Sequence, residues 1–245
     1  ASLYEPLRKW TRGHHAATLA ADRKALGELA SRFDTLVSNL LAERRAAGTK
    51  RVEDVTSRLM AETVEGRNLT DEEITSILRN WTVGELGTIS ACVGILLHYL
   101  AEHTALQQRL RAEPELLPAA IDEILRMDAP LLANRRVTTC PTKIGDRELD
   151  AGERLTIMWG SANRDEKVFG DPDEFRLDRN PQDNLLYGAG IHVCPGAPLA
   201  RMELLFFVEA LLSQTTDFQA VADKPAVRAH YPTGGYSTVP LYVKC

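Results

Sequence analysis

The 245-residue chain is poor in cysteine and has no excess of positive charge. Its four cysteines, Cys92, Cys140, Cys194 and Cys245, include no C-x-x-C pair. Four in this length do not make a disulfide scaffold. A reducing, cytoplasmic setting is the expectation. Cys92, inside an apolar helical stretch, and Cys140 read as buried, inert thiols. The net charge of -5 and a pI near 5.7 argue against a basic nucleic-acid-binding face. No unbroken apolar run reaches roughly 18 residues, so no membrane span is expected. Leu3 to Leu7 do not form the apolar core of a signal peptide. Neither a G-x-S-x-G elbow nor a G-K-[ST] phosphate loop occurs.

What is present reads as helix first and short strands later. Leu26, Leu29, Phe33, Leu36, Val37, Leu40 and Leu41 recur at three- and four-residue steps and predict a helix over 22–45. Gly48 stands where a helix stop belongs. A shorter helix is expected over 52–61 and a polar turn over 65–68. Thr70 and Glu73 form a capping box. The helix that they open should run over about 71–102, roughly 48 Å at 1.5 Å per residue. Gly84, Gly87 and Gly94 lie inside it, and the first two, within one turn, predict a close approach there. Helices follow over 104–112 and 116–127. From Arg136 onward, short β-type runs are separated by Gly-Asp and Ala-Gly turns. A long polar connection covers 161–186, a last strong helix covers 195–213, and a hairpin is expected over 230–243 around Gly234-Gly235. No repeat, linker or boundary interrupts residues 1–245, which read as a single domain. His98 to His103 reads H-x-x-x-E-H, but residues five apart lie roughly 140° apart on a helix and cannot share a metal. His14-His15 reads as solvated surface.

The chemistry concentrates in Tyr187-Gly188-Ala189-Gly190-Ile191-His192-Val193-Cys194-Pro195-Gly196. A glycine-rich loop ends in a cysteine just before a helix. Helix N-terminal amides and the helix dipole favour thiolate over thiol at such a place. Glycines let backbone approach a flat ligand. A thiolate in an apolar pocket suits an iron porphyrin that activates oxygen, because the sulfur donates electron density that favours O–O cleavage.

This loop resembles the cysteine loop of the cytochromes P-450, F-x-x-G-x-x-x-C-x-G, with Tyr187 in place of the phenylalanine. Ala197-Pro198-Leu199-Ala200-Arg201 continues as bacterial members of the family do. Glu123-Ile124-Leu125-Arg126 matches the family's E-x-x-R, whose two charges share a helix face. In the family that pair is buried, and a meander, here about 163–180, packs against it. The resemblance covers essentially the whole chain but only the later part of a family member, so the chain reads as a piece of a longer protein.

The resemblance implies a mainly α fold with small β-sheets, the C-terminal portion of the cytochrome P-450 fold. It implies haem b held by the Cys194 thiolate as axial ligand. Arg136, with Arg135 as the alternative, and His192 would hold the propionates. Tyr187, Gly188, Gly196 and Gly84 would approach the haem. Gly84, Thr88, Leu132, Ala133 and Tyr236 fall where substrate contacts are expected, and Glu123 and Arg126 are scaffold. The long helix departs from the family's acid–threonine pair, which relays protons in the reaction with dioxygen: Leu86 and Gly87 occupy those places. Glu85 and Thr88, at i, i+3, could take over if a local π-bulge swung them inward, or both could point elsewhere. The implied activity is insertion of one oxygen atom from dioxygen into a small organic substrate. Electrons would come from a ferredoxin- or flavodoxin-type partner docking near the cysteine loop. The alternatives are a peroxide-using enzyme and a non-catalytic haem protein or auxiliary subunit.

Overall fold

The computed structural model describes residues 3–47, 53–231 and 233–245. Two compact units, 1–87 and 88–245, are distinguished within what the sequence reads as one domain. The first contains α1 (Tyr4–Leu19), α2 (Arg23–Ala46), α3 (Val55–Ala61), the paired strands β1 (Thr63–Val64) and β2 (Arg67–Asn68), and α4 (Asp71–Val83). Its core joins Trp10, Phe33, Val37, Leu41 and Ile74. The Trp10 indole N–H donates to the Leu29 carbonyl at 2.8 Å, which ties α1 to α2. Helix α1 escapes the sequence reading because Pro6, Gly13 and the His14-His15 pair dilute its apolar spacing. The ends of α2 and α3 are set by acidic caps: Asp22 accepts from the Ala25 amide and Asp54 from the Ser57 amide. Gly48 and Val52 lie outside the described residues. The turn expected over 65–68 is the bend of the β1–β2 hairpin, with Glu65 and Gly66 both at positive φ.

The capping box forms as expected, with the Glu73 amide donating to the Thr70 hydroxyl and the Thr70 amide to the Glu73 carboxylate. The helix it opens continues to Glu102. It changes winding once, in a π-helical turn over Gly84–Ile89, before α5 (Ser90–Glu102). By length and composition alone this one helix could cross a membrane, which the count of unbroken apolar residues did not register. Its second half is instead core: Ala91, Cys92, Ile95, Leu96, Leu100 and Ala101 are buried.

Around α5 the second unit assembles α6 (Thr104–Ala112), α7 (Leu117–Met127) and the later α10 (Ala197–Gln214) over a core that includes Ile95, Leu100, Leu117, Ile124, Leu204 and Val208. Buried Gln107 fastens it by donating to the carbonyls of Leu100 and Phe218, both at 2.7 Å. The strands are short antiparallel pairs. Strand β3 (Asn134–Val137) pairs with β6 (Arg154–Ile157), and β4 (Thr142–Ile144) with β5 (Arg147–Leu149). Strand β7 (Asp217–Ala220) pairs with β10 (Leu241–Lys244), and β8 (Val227–Arg228) with β9 (Tyr236–Thr238). The closing hairpin is therefore corrected: Gly234-Gly235 does turn the chain, but between β8 and β9, while β10 returns to β7. The connection over 161–186 holds only short helical pieces, including α8 (Trp159–Ala162) and α9 (Glu166–Phe169). This is the mainly α architecture with small sheets that the sequence implies.

Candidate functional site: the cysteine loop and its support

The loop folds back on itself. The Cys194 amide donates to the Tyr187 carbonyl at 2.8 Å and the Val193 amide to the Gly190 carbonyl at 3.1 Å. Gly188 (φ 75°) and Gly190 (φ 69°) take left-handed conformations that a side chain would strain. Gly196 then caps α10, and a Cβ placed on Gly196 would sit 3.8 Å from the Cys194 sulfur. Cys194 is exposed, as are His192 and Ile191, the latter 96%. No hydrogen bond reaches the Cys194 sulfur among the described residues, so the expected amide donation at the start of α10 is not made in this conformation. The other cysteines differ. Cys92 is buried in α5, and burial pushes its thiol up to about 12. Cys140 is exposed rather than buried.

Behind the loop lies a buried charge network. Glu123, 5% exposed, accepts from the 1%-exposed Arg126 at 2.7 and 2.9 Å, from the Arg179 guanidinium at 2.8 Å and from the Arg176 amide at 3.2 Å. Arg126 also donates to the carbonyls of Asn163 (2.6 Å) and Pro172 (2.8 Å). Arg179 holds the carbonyls of Phe169, Asp171 and Glu174. Buried Asn163 in turn accepts from the Leu185 amide at 2.7 Å, two residues before Tyr187. The i, i+3 pair on α7 thus anchors the meander, and the meander anchors the cysteine loop. Sequence reading found Glu123 and Arg126 but not Arg179 or Asn163, because nothing local in 175–180 signals that an arginine closes on a carboxylate 56 positions away.

A second link runs from Asp122 to Arg201 (3.1 Å), whose guanidinium lies over the Tyr187 ring at 4.5 Å from its centroid. The Tyr187 hydroxyl is buried without a hydrogen-bond partner among the described residues. Between α7, the meander and α10 is a cavity of about 540 Å³ lined by Pro118, Ile121, Leu177, Met202 and Leu205 among others; none of its walls belongs to 187–196.

The remaining sequence-predicted residues fall in three places. Arg136 is half-buried on β3, opposite Leu155, and donates only to the Arg135 carbonyl (2.8 Å) among the described residues. Arg135 is exposed on the other face of the strand. Leu132, Ala133 and Tyr236 come from neighbouring segments, joined by a bridge between Leu131 and Thr233. Ala133 is buried, and the Tyr236 ring packs between His98 (4.2 Å) and the Arg228 guanidinium (4.3 Å). Gly84, Glu85 and Thr88 belong to the π-helical turn, with Glu85 half-buried and Thr88 exposed. No described protein atom lies within 4 Å of a Cβ placed on Gly84 or Gly87; the close approach occurs instead at Gly94, against Tyr236. His98 pairs with Glu102, and the His103 ring stacks on Tyr99.

An exposed cysteine heading a helix in a loop with glycines suits a soft metal ligand close to a flat cofactor, and Arg136 on β3, paired with no carboxylate among the described residues, suits an anionic group. A profile described as cytochrome P450 matches residues 2–219. The chain is 35% identical over 206 residues to a steroid C26-monooxygenase of Mycolicibacterium smegmatis, covering 84% of the chain and 50% of that protein. It is 34% identical over 179 residues to a cyclomarin C epoxidase of Salinispora arenicola, covering 73% and 45%. A cytochrome P450 of Bacillus megaterium, solved with testosterone, superposes with a TM-score of 0.86 at 27% identity, over 100% of this chain and 66% of its own. The chain belongs to the cytochrome P450 family, and spans about half the length of the curated relatives it matches.

Proposed function

We propose that this chain supplies the iron-binding part of a haem monooxygenase that inserts one oxygen atom from dioxygen into a small organic molecule. The observation that carries the reading is Cys194: exposed, unbonded and placed at the head of α10 by a loop fixed to the Glu123–Arg126–Arg179 network. Haem bound there supplies the activation of dioxygen, to which a thiolate contributes electron density. The chain's own groups do the rest. Cys194 binds the iron, and the closed 187–194 loop limits the sulfur's freedom. Arg136 and His192 neutralise the propionates; Arg136 is suited to this because no carboxylate competes for it among the described residues.

Glu85 and Thr88 are the proton-handling pair in this reading. A single π turn breaks the α register at that point of the helix, and such turns recur at functional sites. Gly84, Thr88, Leu132, Ala133 and Tyr236 are the proposed substrate contacts. The electron donor is a ferredoxin- or flavodoxin-type protein docking near 187–196, in a reducing cytoplasm. Turnover that requires NAD(P)H, reductase and such a donor supports the proposal. A second reading, use of peroxide, is favoured by one observation: Leu86 and Gly87 stand at the acid and alcohol positions. Turnover with peroxide but not with the electron-transfer chain selects it. Purification without haem, with a bound partner enzyme, selects the auxiliary-subunit reading.

A further inference from the structure

The cavity between α7, the meander and α10 has no part in the proposed reaction. At about 540 Å³ it has the size of a small-molecule site, and the cysteine loop forms none of its wall. Its charges do not cancel. Arg126, Arg176, Arg179 and Arg201 line it against two carboxylates, Asp122 and Glu123. Asp122 answers Arg201 at 3.1 Å, and Asp178, outside the wall, answers Arg176 at 2.8 Å. Arg126 and Arg179 are left to share the single carboxylate of Glu123, at 2.7 and 2.8 Å. Their side chains are only 1% and 11% exposed, so water screens the surplus charge poorly. Backbone carbonyls take further N–H groups of both guanidiniums, but a carbonyl brings a dipole and no charge.

Buried charges in folded proteins are paired, and one positive charge at this wall is not. The rest of the wall is apolar: Leu177 and Leu205 are half-buried there and Met202 is exposed. Such a cavity selects a ligand with one acid group and an apolar body. We infer that it is a binding site for a small amphipathic acid, a carboxylate on a short unbranched hydrocarbon chain. The carboxylate supplies the counter-charge that Arg126 and Arg179 lack, and the chain covers Leu177, Met202 and Leu205. The inference does not depend on the role of Cys194.

The test titrates the full-length protein with octanoate and with n-octanol by calorimetry. Excess imidazole is present throughout, to occupy a haem iron and keep the acid from the proposed oxygenation site. Octanoate should bind about tenfold tighter than n-octanol, because only the acid meets the surplus charge. Met202→Trp fills the cavity from an exposed position on α10, and Ala119→Trp fills it from an exposed position on α7. Each should weaken octanoate about tenfold or more while the absorption spectrum and thermal unfolding stay as in wild type. Equal affinity for acid and alcohol overturns the inference. So does octanoate binding that a correctly folded tryptophan variant leaves unchanged, and so does no octanoate binding at all. A protein that shows no spectral change with imidazole contradicts the haem reading instead, and the octanoate results then decide the cavity's role as before.

Discussion

Replacing Arg126 with methionine tests whether the buried network holds the site together. The side chain is 1% exposed and makes four hydrogen bonds: two to Glu123 and one each to the Asn163 and Pro172 carbonyls. Removing one partner of a buried ion pair costs about 3–5 kcal/mol. Glu123 keeps Arg179 and the Arg176 amide, which places its share at the low end of that range. The two abandoned carbonyls add about 1 kcal/mol each. Arg126→Met should therefore cost about 4–5 kcal/mol. Arg126→Lys keeps the charge, but one ammonium cannot span all four acceptors, and about 2 kcal/mol should be lost. Urea denaturation followed by circular dichroism reads both values, and loss of haem should accompany the methionine variant. A cost below about 1 kcal/mol for Arg126→Met, or equal costs for the two variants, would refute the reasoning.

Two further outcomes follow from named groups. Glu73 is held down to about 2 by Arg67 and by the Thr70 amide, against an ordinary 4.5. Its folded value is depressed, so its contribution is complete above 4.5 and disappears as pH falls through about 2. An NMR titration of Glu73 should give a midpoint near 2, and an ordinary midpoint would contradict the capping geometry. Glu85→Gln should lower the product formed per NAD(P)H consumed by about tenfold or more while leaving substrate affinity in place. Unchanged coupling would remove Glu85 from proton delivery.

Local chemistry was legible in the sequence. The Thr70–Glu73 box, the helix to Glu102, the i, i+3 pair on α7 and the glycine-flanked Cys194 depend on neighbours within a few residues. What was not legible depends on distant partners. Strand β10 pairs with β7 rather than within the last hairpin. Arg179 closes on Glu123 from far along the chain. Helix α10 is apolar almost all round, so its sequence does not say that Leu204 and Val208 turn inward while Met202 and Phe206 stay exposed. Cys140 lies in a bend between Thr139 and Pro141, and only the fold shows it on the surface.

The central claim is that Cys194 is a thiolate ligand to haem iron. The carbon-monoxide difference spectrum of the dithionite-reduced protein, with its intact mass recorded on the same sample, tests it most directly. A strongly red-shifted Soret band that is lost in Cys194→His is the predicted result. A band at the ordinary position in the wild-type protein, or no haem at all in a sample of full family length, would contradict it.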